Sequence, residues 1–172
     1  MKLVAVSDTH GDHQILETIL TQQPDADAYF YAGDSEFAAD DPIFDHYVAV
    51  RGNMDFDSAF PLTVSQTVAG VPVFMTHGHR FGVNFSLTQL LDAAAKAKAR
   101  IVIFGHTHQL GVEQHDGMVV LNPGSISQPR GQFARLGGTY AVIEATDEAI
   151  TVTYYLRNGQ PAPDLQRRFA LK

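Results

Sequence analysis

Five short apolar runs punctuate the chain at residues 2–6, 28–32, 47–50, 71–75 and 101–104. Each is only a few residues long and rich in β-branched or aromatic side chains, which predicts buried strands. Between them the hydrophobic period changes. Residues 13–21 place Ile15, Leu16, Ile19 and Leu20 at helical spacing, with Asp12 in position to cap the first turn. Residues 86–99 put Leu87, Leu90, Leu91 and Ala94 on one face, and Lys96, Lys98 and Arg100 stand near the end, where cations complement the helix dipole. Strand and helix thus alternate to about residue 100, the pattern of an α/β sheet.

After His108 the helical pattern fades. Residues 110–113, 118–121, 139–143 and 150–156 read as strands, and Asp116-Gly117 is a hairpin signal. This half predicts mainly antiparallel strands, and two mixed sheets face to face with helices outside is the economical assembly. Residues 158–163 read as a loop, and 166–172 as either a short edge element or a frayed end.

The chain has 172 residues, which fits one domain spanning 1–172. Short intervals between the polar motifs at the strand ends leave no room for a capping domain, so the crevice they form is expected to be open. No apolar run approaches the roughly 20 residues of a membrane span. The start of the chain reads as a strand rather than a signal peptide. Cysteine is absent, which removes disulfides, thiolate zinc sites and cysteine nucleophiles and fits a cytoplasmic location. A formal net charge of −7 opposes binding to long nucleic acid. Small phosphorylated substrates stay open, because bound metals can reverse the local field.

The chemistry lies just beyond the apolar runs. Asp8-Thr9-His10, Gly33-Asp34, Gly52-Asn53, Thr76-His77-Gly78-His79 and Gly105-His106-Thr107-His108 come in order, nearly all at strand ends. Any one of these is common by chance, but five in order supply Asp8, His10, Asp34, Asn53, His77, His106 and His108 to one sheet edge, where α/β folds bind ligands. Oxygen and imidazole ligands without thiolate suit two divalent ions, manganese first, with iron, nickel, cobalt or zinc also suited. Asp34 is the candidate bridging carboxylate. If the strand continues through Asp8-Thr9-His10, the two side chains point to one side, and the same period applies to His106 and His108. Such a pair of metals is expected to activate a bridging hydroxide against a phosphoryl group.

This series resembles the calcineurin-like metallophosphoesterases, which share Asp-x-His, Gly-Asp, Gly-Asn, a later His and Gly-His-x-His. The Gly-Asn-Met-Asp form at 52–55, His-Gly-His at 77–79 and Asn122-Pro123-Gly124-Ser125 resemble the small bacterial and archaeal phosphodiesterase branch. The resemblance implies a four-layer αββα sandwich. It also implies one metal on Asp8, His10, Asp34 and His108, a second on Asp34, Asn53, His77 and His106, and a homodimer. One position departs from the pattern. Where relatives carry a histidine that assists the leaving group, this chain has Met54, which cannot donate a proton. The acid must then be another group, a metal-bound water, or nothing at all for leaving groups that depart as stable anions; His79 is a candidate for it, or else a residue that orients its neighbours. Asp34, Asn53 and His79 are the residues expected to act in the reaction.

The expected function is hydrolysis of a small phosphodiester. The alternative is a protein of this fold that serves as an interaction scaffold, like a retromer coat subunit, or binds nucleotide with little turnover. Seven capable ligands favour the enzyme. His13, His46 and His115 fall outside the motifs and read as surface residues or helix-end partners rather than ligands. Asp55 is expected either to bond a ligand histidine or to cap a turn with Asp57. Arg80 and Arg130 read as solvated, and Asn122 to Ser125 as a tight turn near the site. Phe37, Phe44, Phe56, Phe60, Phe81 and Phe85 crowd the motif loops, as core, interface or a wall for an aromatic leaving group.

Overall fold

The five apolar runs all form strands, and both faces of these strands are covered, which explains why their sequences do not alternate. The computed structural model describes residues 1–171. In chain order the elements are β1 (Lys2–Val6), α1 (His13–Gln22), β2 (Ala28–Tyr31), β3 (Tyr47–Ala49), β4 (Thr63–Val68), β5 (Val71–Thr76), α2 (Thr88–Lys96), β6 (Ile101–Ile103), β7 (Gly111–His115), β8 (Met118–Asn122), β9 (Thr139–Ala145), β10 (Ala149–Leu156) and β11 (Pro161–Ala170). One sheet has the order β11-β10-β9-β1-β2-β3 and the other β4-β5-β6-β8-β7. Both are mixed: β1, β2 and β3 run parallel, as do β5, β6 and β8, and antiparallel strands flank them.

The layers follow from the pleat. Leu3 and Ala5 of β1 point between the sheets to meet Met75, Ile101, Ile103 and Leu121, whereas Val4 and Val6 point outward to Ile15, Leu16 and Ile19 of α1. In the second sheet Phe74, Val102 and Val120 face outward onto Leu90 and Ala94 of α2. The result is helix, sheet, sheet, helix, as the resemblance implies. Asp12 caps α1 as expected, its side chain accepting from the Ile15 N–H at 3.3 Å.

Several boundaries differ from the sequence expectation. The second helix begins at Thr88 rather than residue 86, because the Ser86 hydroxyl takes the Thr88 N–H. It ends at Lys96, so Lys98, in a left-handed conformation, and Arg100 lie beyond it. The sequence pattern missed β4 altogether. Its residues, Thr-Val-Ser-Gln-Thr-Val, are mostly exposed at a sheet edge, and Ala69-Gly70 turns it into β5 without a recognisable signature. The tail is an edge strand, β11, which starts at Pro161 and pairs with β10 across a bulge between Thr153 and Tyr155. Asp116-Gly117 forms the expected hairpin turn, both residues at positive φ. Antiparallel pairing dominates after His108, β8 beside β6 being the exception.

Candidate metal centre

The motif residues follow the C-terminal ends of β1, β2 and β3 in one sheet and β5 and β6 in the other, and there the two sheets bring them together. They do not arrive by continued strand, however. β1 ends at Val6, and Asp8, His10, Asp34, His106 and His108 all have left-handed backbones, with φ of 58°, 47°, 60°, 66° and 59°. The two-residue spacing therefore works through tight turns rather than the pleat. Non-glycine residues in this region are strained by roughly 1–3 kcal/mol each, and such strain concentrates at functional sites. Backbone bonds between the loops hold it: Asp8 N–H to Gly33 O at 3.0 Å, His10 N–H to Asp34 O at 3.1 Å, and Gly105 N–H to His77 O at 3.0 Å.

Two groups of ligand atoms lie within 4.8 Å of one another: Asp8, His10 and His108, and Asp8, Asp34 and His77. Asp8 belongs to both. Asn53 joins the second group, its Oδ1 3.1 Å from His77 Nε2, which also lies 3.3 Å from Asp34 Oδ2. His106 stands at the edge, its ring 5.1 Å from that of His77 and its Nε2 3.0 Å from the Asn84 amide nitrogen.

Imidazole orientation shows what this arrangement can hold. A carbonyl oxygen only accepts, so His77 donates its Nδ1–H to Ala32 O at 2.6 Å, and His108 donates Nδ1–H to Gln128 O at 2.8 Å. His10 likewise turns Nδ1 to the Glu36 carboxylate at 2.8 Å. In all three the remaining Nε2 is aimed inward. His10 Nε2 and His108 Nε2 face each other at 3.3 Å, and both flank Asp8 Oδ1, at 4.0 and 3.1 Å. That oxygen is buried and, among the described residues, receives no hydrogen bond. Converging lone pairs around an orphaned carboxylate oxygen are what a cation requires, and the outer bonds that fix the rings are typical of metal-binding histidines. The residues present fit divalent metals.

Titration behaviour points the same way. Burial would push His77 below the usual imidazole value, but its bond to Asp34 and the charges of Asp8 and Asp34 outweigh burial and raise it. His108 is raised likewise, Asp8 overcoming burial. For Asp34, burial opposes ionisation, yet His77 and the Met54 N–H hold its carboxyl below the ordinary value. The carboxylates thus draw positive charge inward. His106 is lowered, by burial and then by His77. His79, which opens a short 3-10 turn beside the centre, is lowered to about 4 by burial and by His77, His106 and Arg80.

The glycines before the ligands have a steric reason. A Cβ on Gly105 would sit 2.1 Å from Ser7 Oγ and 2.8 Å from Asp8 Oδ2, and one on Gly52 would sit 2.0 Å from Asp34 Oδ1. A side chain at either position would displace a carboxylate.

Sequence reasoning missed the residues that hold the candidate ligands in place. Among the described residues, the Asp55 carboxylate neither bonds a candidate ligand histidine nor caps a turn with Asp57. Its buried carboxylate accepts the N–H groups of Asp34, Ser35, Glu36 and Gly52 at 2.7–2.8 Å, together with the Ser35 hydroxyl at 3.0 Å. It ties the Asp34 loop to the Asn53 loop. Asn122 to Ser125 is more than a turn: Ser125 Oγ donates to Asp8 O at 2.8 Å, and the Asn122 amide donates to Gly105 O at 2.8 Å. Ser7 Oγ donates to Asp8 Oδ2 at 2.5 Å. Clustered polar residues at a strand end were the only available signal. Among the phenylalanines, Phe60 is buried and Phe37, Phe44 and Phe81 pack against the outer cores, whereas Phe56 and Phe85 are 86% and 95% exposed. Arg80, Arg130 and His46 are exposed, and His13 meets Asp41 at 3.0 Å.

A two-sheet sandwich with this ligand constellation defines a metal-dependent phosphoesterase class. The family model of the calcineurin-like phosphoesterase superfamily domain matches residues 1–148, and the chain belongs to that family. It is 33% identical over 172 residues to the probable metallophosphoesterase YsnB of Bacillus subtilis strain 168, covering 99% of this chain and 100% of the relative. It superposes on the crystal structure of a conserved uncharacterized protein, a predicted phosphoesterase, from Streptococcus pneumoniae TIGR4 with a TM-score of 0.94 and 34% identity, covering 98% of this chain and 97% of that one. The phosphodiesterase YfcE of Escherichia coli K12 is 33% identical over 92 residues, covering 49% of this chain and 46% of the relative.

Proposed function

We propose that the protein is a metal-dependent phosphodiesterase acting on a small phosphodiester at this centre. The observation that carries the reading is the convergence of oriented imidazoles on buried Asp8 and Asp34, with Asp8 Oδ1 left without a hydrogen bond among the described residues. Asp8, His10, Asp34 and His108 would hold one metal, and Asp34, Asn53, His77 and His106 the other, manganese being the expected ion. Divalent cations there would neutralise charge on the phosphoryl group and acidify the attacking water. With Oδ1 turned to His77, Asn53 has its amide donors left for a phosphoryl oxygen.

The preference for diesters rests on the phosphodiesterase name of the partial relative YfcE and on the side chain at position 54. Met54 is anchored beside the centre by its N–H to Asp34 Oδ1 at 2.7 Å, and its thioether offers no proton. His79 is a poor replacement, because a pKa near 4 leaves it neutral at pH 7, and cations bound nearby would lower it further. Departure then depends on the stability of the leaving anion. Across aryl phosphodiesters of graded phenol acidity, turnover of the manganese-loaded protein is expected to fall steeply as the phenol becomes less acidic. His79→Ala is expected to leave the slope unchanged. Met54→His is expected to raise turnover of the poorest leaving groups by roughly tenfold or more, toward the range typical of a positioned acid. A flat dependence in the unmodified protein would contradict the missing-acid argument, and absence of any diester hydrolysis would contradict the proposed activity.

The functional unit in this reading is a two-fold homodimer. Phe56 and Phe85, 86% and 95% exposed, are apolar surface that self-association would cover. Light scattering across a dilution series is expected to show a dimer at micromolar concentration, and a fully active monomer would rule out a part for the interface in activity. The acidic balance, −7, agrees with a small substrate rather than a long polyanion, and among the described residues no helix is long and apolar enough to cross a membrane.

A further inference from the structure

Of the candidate histidine and carboxylate ligands, His106 is the one outside the two converged groups, and its Nε2 has another partner. Asn84 opens an exposed stretch, residues 84–86, between Gly82, which turns the chain at φ 64°, and the start of α2. Its Nδ2 is 3.0 Å from His106 Nε2. An amide nitrogen only donates, so in this contact the Nε2 lone pair is the acceptor. A cation bound by His106 would need that same lone pair. The amide and the metal therefore compete for one nitrogen, and a metal that wins leaves an unpaired donor at the edge of the crevice.

We propose that Asn84 is a substrate-positioning residue whose amide, bonded to His106 Nε2, passes to a non-bridging phosphoryl oxygen of the diester when a metal occupies His106. The inference rests on the functional reading above and adds a residue outside the shared motifs. Asn84 is exposed and, among the described residues, its side chain bonds only His106, so its replacement is expected to leave folding intact. A hydrogen bond that forms with substrate already in the ground state acts on KM more than on kcat.

The test uses the whole chain, Asn84→Ala and Asn84→Asp, titrated calorimetrically with manganese alone and then assayed with an aryl phosphodiester. In Asn84→Ala the competing bond is gone, so the weaker manganese site is expected to tighten by about 2- to 10-fold. KM is expected to rise by about tenfold or more, with kcat changed little. Asn84→Asp is expected to keep tight manganese binding and to raise KM further, because a carboxylate repels the phosphodiester. Weaker manganese binding in Asn84→Ala would show that Asn84 supports His106 as a ligand and would overturn the competition. Two bound metals and diester turnover in the unmodified protein, with both variants unchanged, would overturn this inference and leave the functional reading standing. No manganese binding by the unmodified protein would remove both.

Discussion

Asp34→Asn is expected to reduce diester turnover by on the order of a thousandfold or more while leaving thermal stability close to that of the unmodified protein. Loss of an outer partner of a metal ligand typically weakens affinity or activity by roughly 10- to 100-fold, and removal of a carboxylate that, in the proposed centre, two metals would share should exceed that. The fold tolerates the change for a specific reason. The substituted asparagine would keep an oxygen for the Met54 N–H, now 2.7 Å from Asp34 Oδ1, and would place an amide where Oδ2 faces His77 Nε2 at 3.3 Å. That amide would donate to the inward lone pair and hold the ring in place. The same bond would occupy the nitrogen that a metal needs. Calorimetric titration with manganese alongside melting curves separates the two effects, and retained turnover would mean that the chemistry lies elsewhere.

The second large effect is expected at a residue that touches no substrate. Asp55→Ala removes the acceptor for four backbone N–H groups, those of Asp34, Ser35, Glu36 and Gly52, and for the Ser35 hydroxyl. Each buried donor left unpaired costs about 1–3 kcal/mol. Admission of water and relaxation of the loop make the sum less than additive, so about 3–5 kcal/mol of stability is expected to be lost, on a total of roughly 5–15 kcal/mol for a typical domain. The melting temperature should fall by about 10 °C. Manganese binding should weaken too, because the bonds at Asp34 and Gly52 set the position of both metal-side loops. Asp55→Asn, which retains one acceptor oxygen, should fall between. A melting temperature for Asp55→Ala within a degree or two of the unmodified protein would show that the loops hold their shape without the carboxylate.

The contrast between Asp34 and Asp55 shows how far the sequence could be read. Asp34 was legible because it follows a buried strand and belongs to an ordered series, both of which survive in one dimension. Asp55 was not, since its role depends on donors from two loops about 20 residues apart, and a side chain that collects backbone N–H groups leaves no pattern of residue types. The deeply buried strands β1, β6 and β8 announced themselves as continuous apolar runs because helices or sheets cover both faces. β4 and β11 did not, since edge strands with one wet face carry Thr, Ser, Gln, Asp and Arg where the pattern expects hydrophobics. The candidate ligands were visible as residue types, but the way their side chains are aimed was not. Left-handed backbone at Asp8, His10, Asp34, His106 and His108 replaces the strand period that the spacing suggested, and only the tertiary bonds between loops make that conformation tenable.

Crystals of the unmodified protein grown with manganese, measured with anomalous scattering at the manganese edge, test the central claim most directly. Two anomalous peaks per chain are expected on either side of Asp34, one among Asp8, His10 and His108 and the other among Asn53, His77 and His106, with the Asn84 amide released from His106. A single peak away from Asp34, or none at full manganese loading, would contradict a dinuclear centre bridged by that carboxylate.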